Sequence, residues 1–195
     1  MSIRSVINIR YSQIRSLDVS NGEGVGCALF VQGCHFHCKN CFNSETWDFN
    51  GGKEWTPDVQ EEFLKLIDRP YIKRVSILGG CPLADENVSD VLKLVNQIHL
   101  LFPNKSIWLY TGYTVNIFEI PNSDHTEIEL NPRSNNEYDL MRADIIRNCD
   151  VVVDGRFEED KKDLSLRFKG SSNQRLIAIK ESLKEGEIVL WDSIK

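Results

Sequence analysis

The sequence predicts an α/β fold, in which strands alternate with helices and the strands form a parallel sheet. Two observations support this prediction. Short apolar runs suited to buried strands are separated by stretches in which apolar residues recur at helical spacing. Glycines follow several of these runs, as expected where a strand ends in a turn. Alternation of this kind is typical of βαβ units, which produce parallel strands with helices on the outside.

The first predicted elements surround a loop rich in cysteine. Residues 27–31 (CALFV) are predicted to form a buried strand that leads into this loop. A helix is predicted from Thr56, which can cap its first turn, to about Asp68, and Pro57 suits the first helical position. A strand at 74–78 (RVSIL) follows and ends at two glycines.

The second half of the chain continues the alternation. Apolar residues at helical spacing predict a helix over 88–102, which stops at Pro103. The later predicted elements are a strand at 106–110 (SIWLY), a helix at 140–149, a strand at 150–153 and two short strands at 175–180 and 188–191.

The chain is predicted to be one domain spanning residues 1–195. That length is ordinary for a domain, and 41% of the residues are hydrophobic, which is enough for a substantial core. Polar, Asn-rich residues predict a surface insertion near 122–138, and residues 179–195 are expected to form an appended tail.

Charge and hydropathy argue against several classes of partner. The formal net charge is −6, and no run of Lys and Arg is long enough to bind nucleic acid phosphates. No apolar run reaches the length that spans a bilayer. The N-terminal residues lack the charged-then-apolar pattern of a signal peptide. We therefore expect a cytoplasmic protein without nucleic acid or membrane partners.

Three cysteines lie within eight residues, Cys34, Cys38 and Cys41, in the spacing C-x3-C-x2-C. Thiolates this close in sequence can converge on one metal centre at little cost in loop-closure entropy. A cubane iron–sulfur cluster normally takes four cysteine ligands, so three cysteines leave one iron open to a small molecule. This pattern predicts a redox enzyme, in which Phe36 and Phe42 are expected to shield the metal.

A zinc site is the alternative for this loop, with His35 or His37 as a fourth ligand. Zinc knuckles and ribbons usually use C-x2-C pairs, so the observed spacing favours the iron–sulfur interpretation. Two other cysteines, Cys27 and Cys149, lie in or beside apolar segments and are predicted to be inert buried thiols.

Further segments could contribute to the same site. Gly79 and Gly80 follow a predicted strand, at the carboxyl end where ligands bind in α/β folds. The aromatic stretch 108–113 could line the same face or simply belong to the core. The segment 169–175 could be no more than a polar loop.

Taken in order, these segments resemble the radical S-adenosylmethionine superfamily, and more closely the activating proteins of anaerobic (class III) ribonucleoside-triphosphate reductase. The cysteine motif is common to the superfamily. The Thr-Gly-Tyr at 111–113 and the Gly-Ser-Ser-Asn-Gln at 170–174 make the narrower resemblance specific. The stretches that carry it are 21–24, 29–34, 41–47, 79–83, 107–113, 153–157 and 170–175.

The resemblance implies an incomplete (β/α) barrel, open on one side, with helices outside a parallel sheet. It also implies one 4Fe-4S cluster, with three irons held by Cys34, Cys38 and Cys41 and the fourth binding the amino and carboxylate groups of S-adenosylmethionine. The implied contacts to S-adenosylmethionine are Asn40, Cys41, Phe42, Gly79 and Gly80.

The resemblance further implies the reaction and its partners. An external donor, such as a reduced flavodoxin, supplies one electron through the cluster, and S-adenosylmethionine is cleaved to methionine and a 5′-deoxyadenosyl radical. That radical takes a hydrogen atom from a glycine near the C-terminus of the large reductase subunit. The segment 170–175 is expected to dock this subunit or to order the site.

Two residues depart from the family pattern. Cys81 follows the two glycines where the family usually has an acidic residue, which helps to hold the amino group of S-adenosylmethionine. Phe42 occupies a position where Tyr is common. Three other functions stay open: activation of a different glycyl radical enzyme, radical chemistry on a small molecule, and a zinc-binding interaction module.

Overall fold

The computed structural model describes residues 7–117, 126–132 and 136–194. The strands are β1 Arg10–Asp18, β2 Gly26–Val31, β3 Lys53–Glu54, β4 Arg74–Gly79, β5 Ser106–Tyr110, β6 Thr114–Asn116, β7 Glu127–Glu129, β8 Val151–Asp154 and β9 Arg175–Ala178. The helices are α1 Pro57–Ile67, α2 Asp85–Leu101, α3 Glu137–Arg147 and α4 Ile179–Glu185, with short 3-10 helices at Ser44–Thr46, Glu159–Lys161 and Trp191–Ile194.

The main sheet has seven strands in the order β3-β1-β2-β4-β5-β8-β9. The four central strands β2, β4, β5 and β8 are parallel, and the flanking pairs β3–β1, β1–β2 and β8–β9 are antiparallel. The predicted α/β class is confirmed, because helices connect the parallel strands. The sheet is mixed rather than wholly parallel, and the described strands form no closed barrel.

Both faces of the sheet are covered, which explains the continuous apolar runs in the central strands. One face packs against the helices, through residues such as Leu29, Ile77 and Leu109. The opposite face, called here the inner face, carries Phe30 and Leu78 on the central strands. Also on this face are Trp108, Tyr110, Val151, Val153, Leu176 and Ala178, which pack near Phe168 and Trp191.

A buried ion pair closes one end of the inner face. Arg74, at the start of β4, is fully buried and lies 3.0 Å from the carboxylate of Asp18. Its guanidinium also donates to the carbonyl oxygens of Asp18, Asn21 and Glu23. A buried charge is tolerated only when it is paired and hydrogen-bonded, so this network fixes the β1–β2 loop beside the start of β4.

Several sequence predictions of local structure are confirmed. The predicted cap Thr56 accepts a hydrogen bond from the backbone of Val59, 3.3 Å away, and α1 follows it. The strands predicted at 74–78, 106–110 and 150–153 correspond to β4, β5 and β8. The predicted helix at 88–102 is α2, which begins three residues earlier, at Asp85.

Other predictions are corrected. Strand β1 was not predicted, because its sequence is mostly polar and its pairing with β2 is antiparallel. The predicted strand at 188–191 is wrong: a single bridge joins Leu190 to Ile177, and a 3-10 helix starts at Trp191. The predicted strand at 175–180 ends at Ala178, where the chain turns into α4.

The predicted insertion and tail fall partly on described residues. Within 122–138, the structure describes 126–132, which contain β7, and 136–138, where α3 begins. Strand β7 pairs in parallel with β6. In the tail, the indole of Trp191 is buried with its ring centre 5.3 Å from that of Trp108. In the described part of the chain, no helix combines the length and apolar character needed to cross a bilayer.

Candidate metal centre

A cavity of about 510 Å³ lies against the inner face of the sheet. It is lined at one end by Cys34, Cys38 and Cys41, and elsewhere by side chains of the inner face such as Phe30 and Leu78. The sequence-predicted cysteine ligands therefore share one cavity wall. Its volume is in the range typical of small-molecule sites.

Backbone contacts shape the cysteine loop. Immediately after β2, the amide of Gly33 donates to the carbonyl of Thr46 at 2.7 Å, and that of Cys34 donates to the carbonyl of Trp47 at 3.0 Å. The chain then reverses through His37 and Asn40, both in the left-handed region with φ of 44° and 56°. These turns bring three cysteines separated by short spacers to the same cavity.

Two thiols of the loop, those of Cys34 and Cys38, have raised pKa values. The pKa of Cys34 is raised to about 12, mainly by burial, and the neighbouring thiols of Cys81 and Cys38 act in the same direction. Burial also raises the pKa of Cys38. A metal must displace the thiol protons, since the thiolate is the ligand, so metal loading of this site releases protons.

Both histidines offered by the zinc alternative contact residues outside the cysteine loop. His35 Nε2 lies 2.9 Å from the carboxylate of Glu86, and the His37 ring stacks on Trp47 with centres 4.6 Å apart.

The donor chemistry fits an iron–sulfur cluster. Three thiols on one wall suit a group in which each thiolate binds a different iron. Neighbouring aromatic side chains cover the loop. The Phe42 ring packs 5.1 Å from that of Phe157, and the guanidinium of Arg156 lies 4.7 Å above the ring of Phe36. Phe42 remains 53% exposed, so these contacts cover the cysteine loop only in part.

Comparison with known proteins agrees with this geometry. Residues 20–177 match the family model described as a 4Fe-4S single cluster domain. The chain is 38% identical over 168 residues to the anaerobic ribonucleoside-triphosphate reductase-activating protein of Escherichia coli (strain K12), covering 85% of this chain and 96% of the relative. The protein of that name from Enterobacteria phage T4 is 31% identical, covering 86% and 93%. The chain belongs to this family.

Membership confirms the resemblance drawn from the sequence. The motifs that carried it lie in the matched region, which contains all three loop cysteines. A 4Fe-4S cluster with S-adenosylmethionine is the cofactor set of such activating enzymes. Family membership does not test which residues bind the cluster or contact S-adenosylmethionine. Those predictions are compared with the position of each side chain in the structure.

Four of the five residues predicted to contact S-adenosylmethionine line the cavity: Cys41, Phe42, Gly79 and Gly80. The fifth, Asn40, is exposed and lies outside the cavity lining, in the left-handed turn of the loop. Asn43 lies at the wall instead, and its amide donates to the Cys41 sulfur at 3.5 Å.

Close backbone contacts explain why glycine occupies both position 79 and position 80. A Cβ on Gly80 would collide with the carbonyl oxygen of Gly33, at the start of the cysteine loop. A Cβ on Gly79, which has a φ of +104°, would meet the backbone of Phe30 and Val31 at 2.8 Å. Both glycines therefore let the end of β4 pack directly against β2 and the loop.

Cys81, the departure from the family pattern, is buried and lines the cavity. Its sulfur lies 3.4 Å from the hydroxyl oxygen of Thr111, and burial raises the pKa of its thiol. By contrast, Cys27 and Cys149 are fully buried outside the cavity lining, and burial raises the pKa of both. Their predicted role as buried thiols agrees with these positions.

The segment 170–175 is tied to the loop that covers the cysteines. The side-chain oxygen of Gln174 accepts from the amides of Gly170 at 2.9 Å and Ser171 at 3.2 Å, and its amide nitrogen donates to the Gly155 carbonyl at 3.0 Å. Asn173 donates to the carbonyl of Arg156 at 2.8 Å. These contacts favour ordering of the site as the role of the segment.

The stretch 108–113, which could line the same face, contributes Tyr110 and Thr111 to the cavity wall. Arg156 and Lys169 also line the cavity, although the sequence motifs assigned neither of them a role. Each lies within or beside a segment that carried the family resemblance, which was the available signal. Their convergence depends on the register of β5 and β8 and on the fold of the loop after β8, which no local pattern encodes.

Proposed function

We propose that this chain is a radical S-adenosylmethionine activase that generates the glycyl radical of anaerobic ribonucleoside-triphosphate reductase. One observation carries the proposal: the three motif cysteines line one cavity in a chain that is 31–38% identical to activating proteins of that reductase. The proposal includes a cytoplasmic location and a single domain. It also includes the incomplete barrel, which is supported by the open edges of the sheet at β3 and β9.

In this proposal Cys34, Cys38 and Cys41 hold one 4Fe-4S cluster, since they supply three thiols and leave one iron open. When bound and reduced, the cluster supplies the electron that cleaves S-adenosylmethionine to methionine and 5′-deoxyadenosine, with a hydrogen atom taken from a glycine of the reductase. A reduced flavodoxin or a similar protein is the proposed donor.

The residues of this chain bind S-adenosylmethionine and exclude water. Gly79, Gly80 and Phe42 form the wall beside the cysteines, with Asn40 at the turn of the loop. Because Cys81 is protonated and buried, it supplies no negative charge to an ammonium group. Backbone carbonyls at the end of β4 are left to hold that group.

The covering loop after β8 protects the reaction. Arg156 and Phe157 contact the aromatic side chains of the cysteine loop. Exclusion of water and oxygen from this cavity prevents side reactions of a radical. The partner's glycine must therefore enter the cavity on a segment of its own chain.

The test is anaerobic reconstitution with iron and sulfide, followed by reduction and addition of S-adenosylmethionine and the large reductase subunit. We expect 5′-deoxyadenosine by chromatography and a glycyl radical by electron paramagnetic resonance. The variant Cys34→Ala should lose both signals and bind less iron. The matched control Cys149→Ala removes a buried thiol away from the cavity and should retain them. A colourless protein that binds zinc would contradict the proposal.

A further inference from the structure

The hydroxyl of Tyr110, the last residue of β5, is a buried polar group beside the cavity. Tyr110 lines the same cavity as the cysteines, and its ring packs against Phe30 and Leu78 of the inner face. Its hydroxyl oxygen is buried and has no hydrogen-bond partner among the described residues. An unpaired buried polar group costs about 1–3 kcal/mol, so a site that retains one is suited to a ligand that pairs with it.

This hydroxyl acts as a donor. Burial raises the pKa of Tyr110 well above its usual value, and the opposing charges of Arg74 and Asp18 act on it in opposite directions. The phenol is therefore neutral at physiological pH and offers one O–H. A group that carries an acceptor would satisfy this O–H.

The surroundings favour an uncharged acceptor. The ring lies between two apolar clusters of the inner face, one with Phe30 and Leu78 and the other with Trp108 and Val153. Of the charges that act on the hydroxyl, Arg74 is already paired with Asp18. An anion beside the hydroxyl would therefore lose its hydration without an unpaired partner there to replace it. Removing a neutral carbonyl from water costs much less free energy than removing an anion.

The charges that act on the hydroxyl belong to the end of the sheet away from the cysteine loop. These charged groups are Arg74 and Asp18, and Arg74 begins β4 at the end opposite Gly79 and the cysteine loop. The cysteine end of the cavity is where the cluster and S-adenosylmethionine belong. The region of the hydroxyl is left for the second reactant.

We propose that the Tyr110 hydroxyl donates a hydrogen bond to a main-chain carbonyl of the reductase segment that bears the reactive glycine. This inference rests on the proposed function, which requires that segment to enter the cavity. A glycine-bearing segment has little side-chain bulk, so its backbone can approach the apolar wall. Every carbonyl that it buries needs a donor, and Tyr110 supplies one without depending on the partner's side chains.

The experiment compares Tyr110→Phe with Tyr71→Phe in the reconstituted holoenzyme. Tyr71 is 47% exposed and accepts a hydrogen bond from Arg69, so its variant makes the same chemical change at the surface. The measurements are the dissociation constants for the large reductase subunit and for S-adenosylmethionine, the glycyl radical formed per 5′-deoxyadenosine, and the stability of the free protein to denaturant.

For Tyr110→Phe we expect the dissociation constant for the reductase to rise about 5- to 10-fold, from loss of one buried hydrogen bond. The radical yield per 5′-deoxyadenosine should fall. The affinity for S-adenosylmethionine should not change, and the free protein should be no less stable, because the hydroxyl has no partner there. Tyr71→Phe should match the parent in every measurement.

Two results would overturn the inference. Weaker binding of S-adenosylmethionine by Tyr110→Phe would assign the hydroxyl to that molecule instead, and unchanged reductase binding would leave it without a role in docking. Failure of the proposed function is distinct, because it would be seen in the parent protein as S-adenosylmethionine cleavage without a glycyl radical on the reductase.

Discussion

The sulfur of Cys81 lies 3.4 Å from the hydroxyl oxygen of Thr111, across the carboxyl ends of β4 and β5. Cys81 therefore supplies a buried, neutral thiol at a position where the family usually has a carboxylate. Thr111 also accepts a hydrogen bond from the amide of Tyr113 at 3.2 Å, so its hydroxyl is already oriented. The substitution at residue 81 therefore changes the charge of the site within an ordered local structure.

Restoring an acidic side chain at this position should strengthen S-adenosylmethionine binding. In Cys81→Asp, the carboxylate can accept from Thr111 and pair with the ammonium group of the ligand. A hydrogen bond between charged groups contributes about 1.5–3 kcal/mol, which predicts an affinity at least about tenfold higher by calorimetry on the cluster-loaded protein. Cys81→Ser is the neutral control and should resemble the parent. Equal affinities in all three proteins would show that backbone contacts suffice.

A methyl group at Gly80 should disturb the metal site. The added Cβ of Gly80→Ala would collide with the carbonyl of Gly33 and push the cysteine loop away from β4. We expect iron content after reconstitution to fall by at least about half, measured against protein concentration. Gly186→Asn is the control, because Gly186 has open space around it and Asn tolerates its left-handed φ of 74°. Full iron loading of Gly80→Ala would contradict this role for Gly80.

Loss of the Gln174 side chain should loosen the loop that covers the cysteines. Gln174→Ala leaves the amides of Gly170 and Ser171 without their acceptor and the Gly155 carbonyl without its donor. We expect amide hydrogen exchange over residues 156–170 to become about tenfold faster, followed by mass spectrometry. Gln174→Glu keeps the acceptor and loses the donor, so its effect should be smaller. Exchange at the parent rate in both variants would count against an ordering role.

The buried pair of Asp18 and Arg74 should make stability depend on pH in acid. Burial alone raises the pKa of Asp18, but hydrogen bonds from Asn21 and Arg74 outweigh it, and the pKa is lowered overall. A carboxyl whose pKa is lower in the folded state than in the unfolded state stabilises the fold at pH values above the unfolded pKa, which is about 3.9. That contribution is lost as the pH falls through the folded pKa.

Urea unfolding between about pH 6 and pH 2 tests this expectation. The free energy of unfolding of the parent should fall with acidification. In Asp18→Asn this fall should be smaller, because the variant has no carboxyl at residue 18 to protonate. The two curves should therefore converge in acid. Parallel curves over the whole range would contradict the assignment of this acid sensitivity to Asp18.

The sequence by itself determined the chemistry of the site. The spacing of Cys34, Cys38 and Cys41 predicts the metal ligands, because short spacers limit how far apart the thiols can lie. Apolar runs predicted β2, β4, β5 and β8, since burial on both sheet faces leaves a strong local pattern. Helical periodicity predicted α2, and the capping residue Thr56 predicted α1. The family motifs then predicted the cofactors and the partner.

Only the tertiary structure decided which side chains meet the cysteines. Tyr110 and Arg156 reach the cavity because parallel pairing brings β5 and β8 side by side, and pairing between distant segments leaves no local signal. The polar strand β1 and the 3-10 helix at Trp191 were missed for the same reason, as each is stabilised by packing on another element. The spacing of a motif is local, whereas the shape and unsatisfied groups of a cavity arise only when separate parts of the chain pack together.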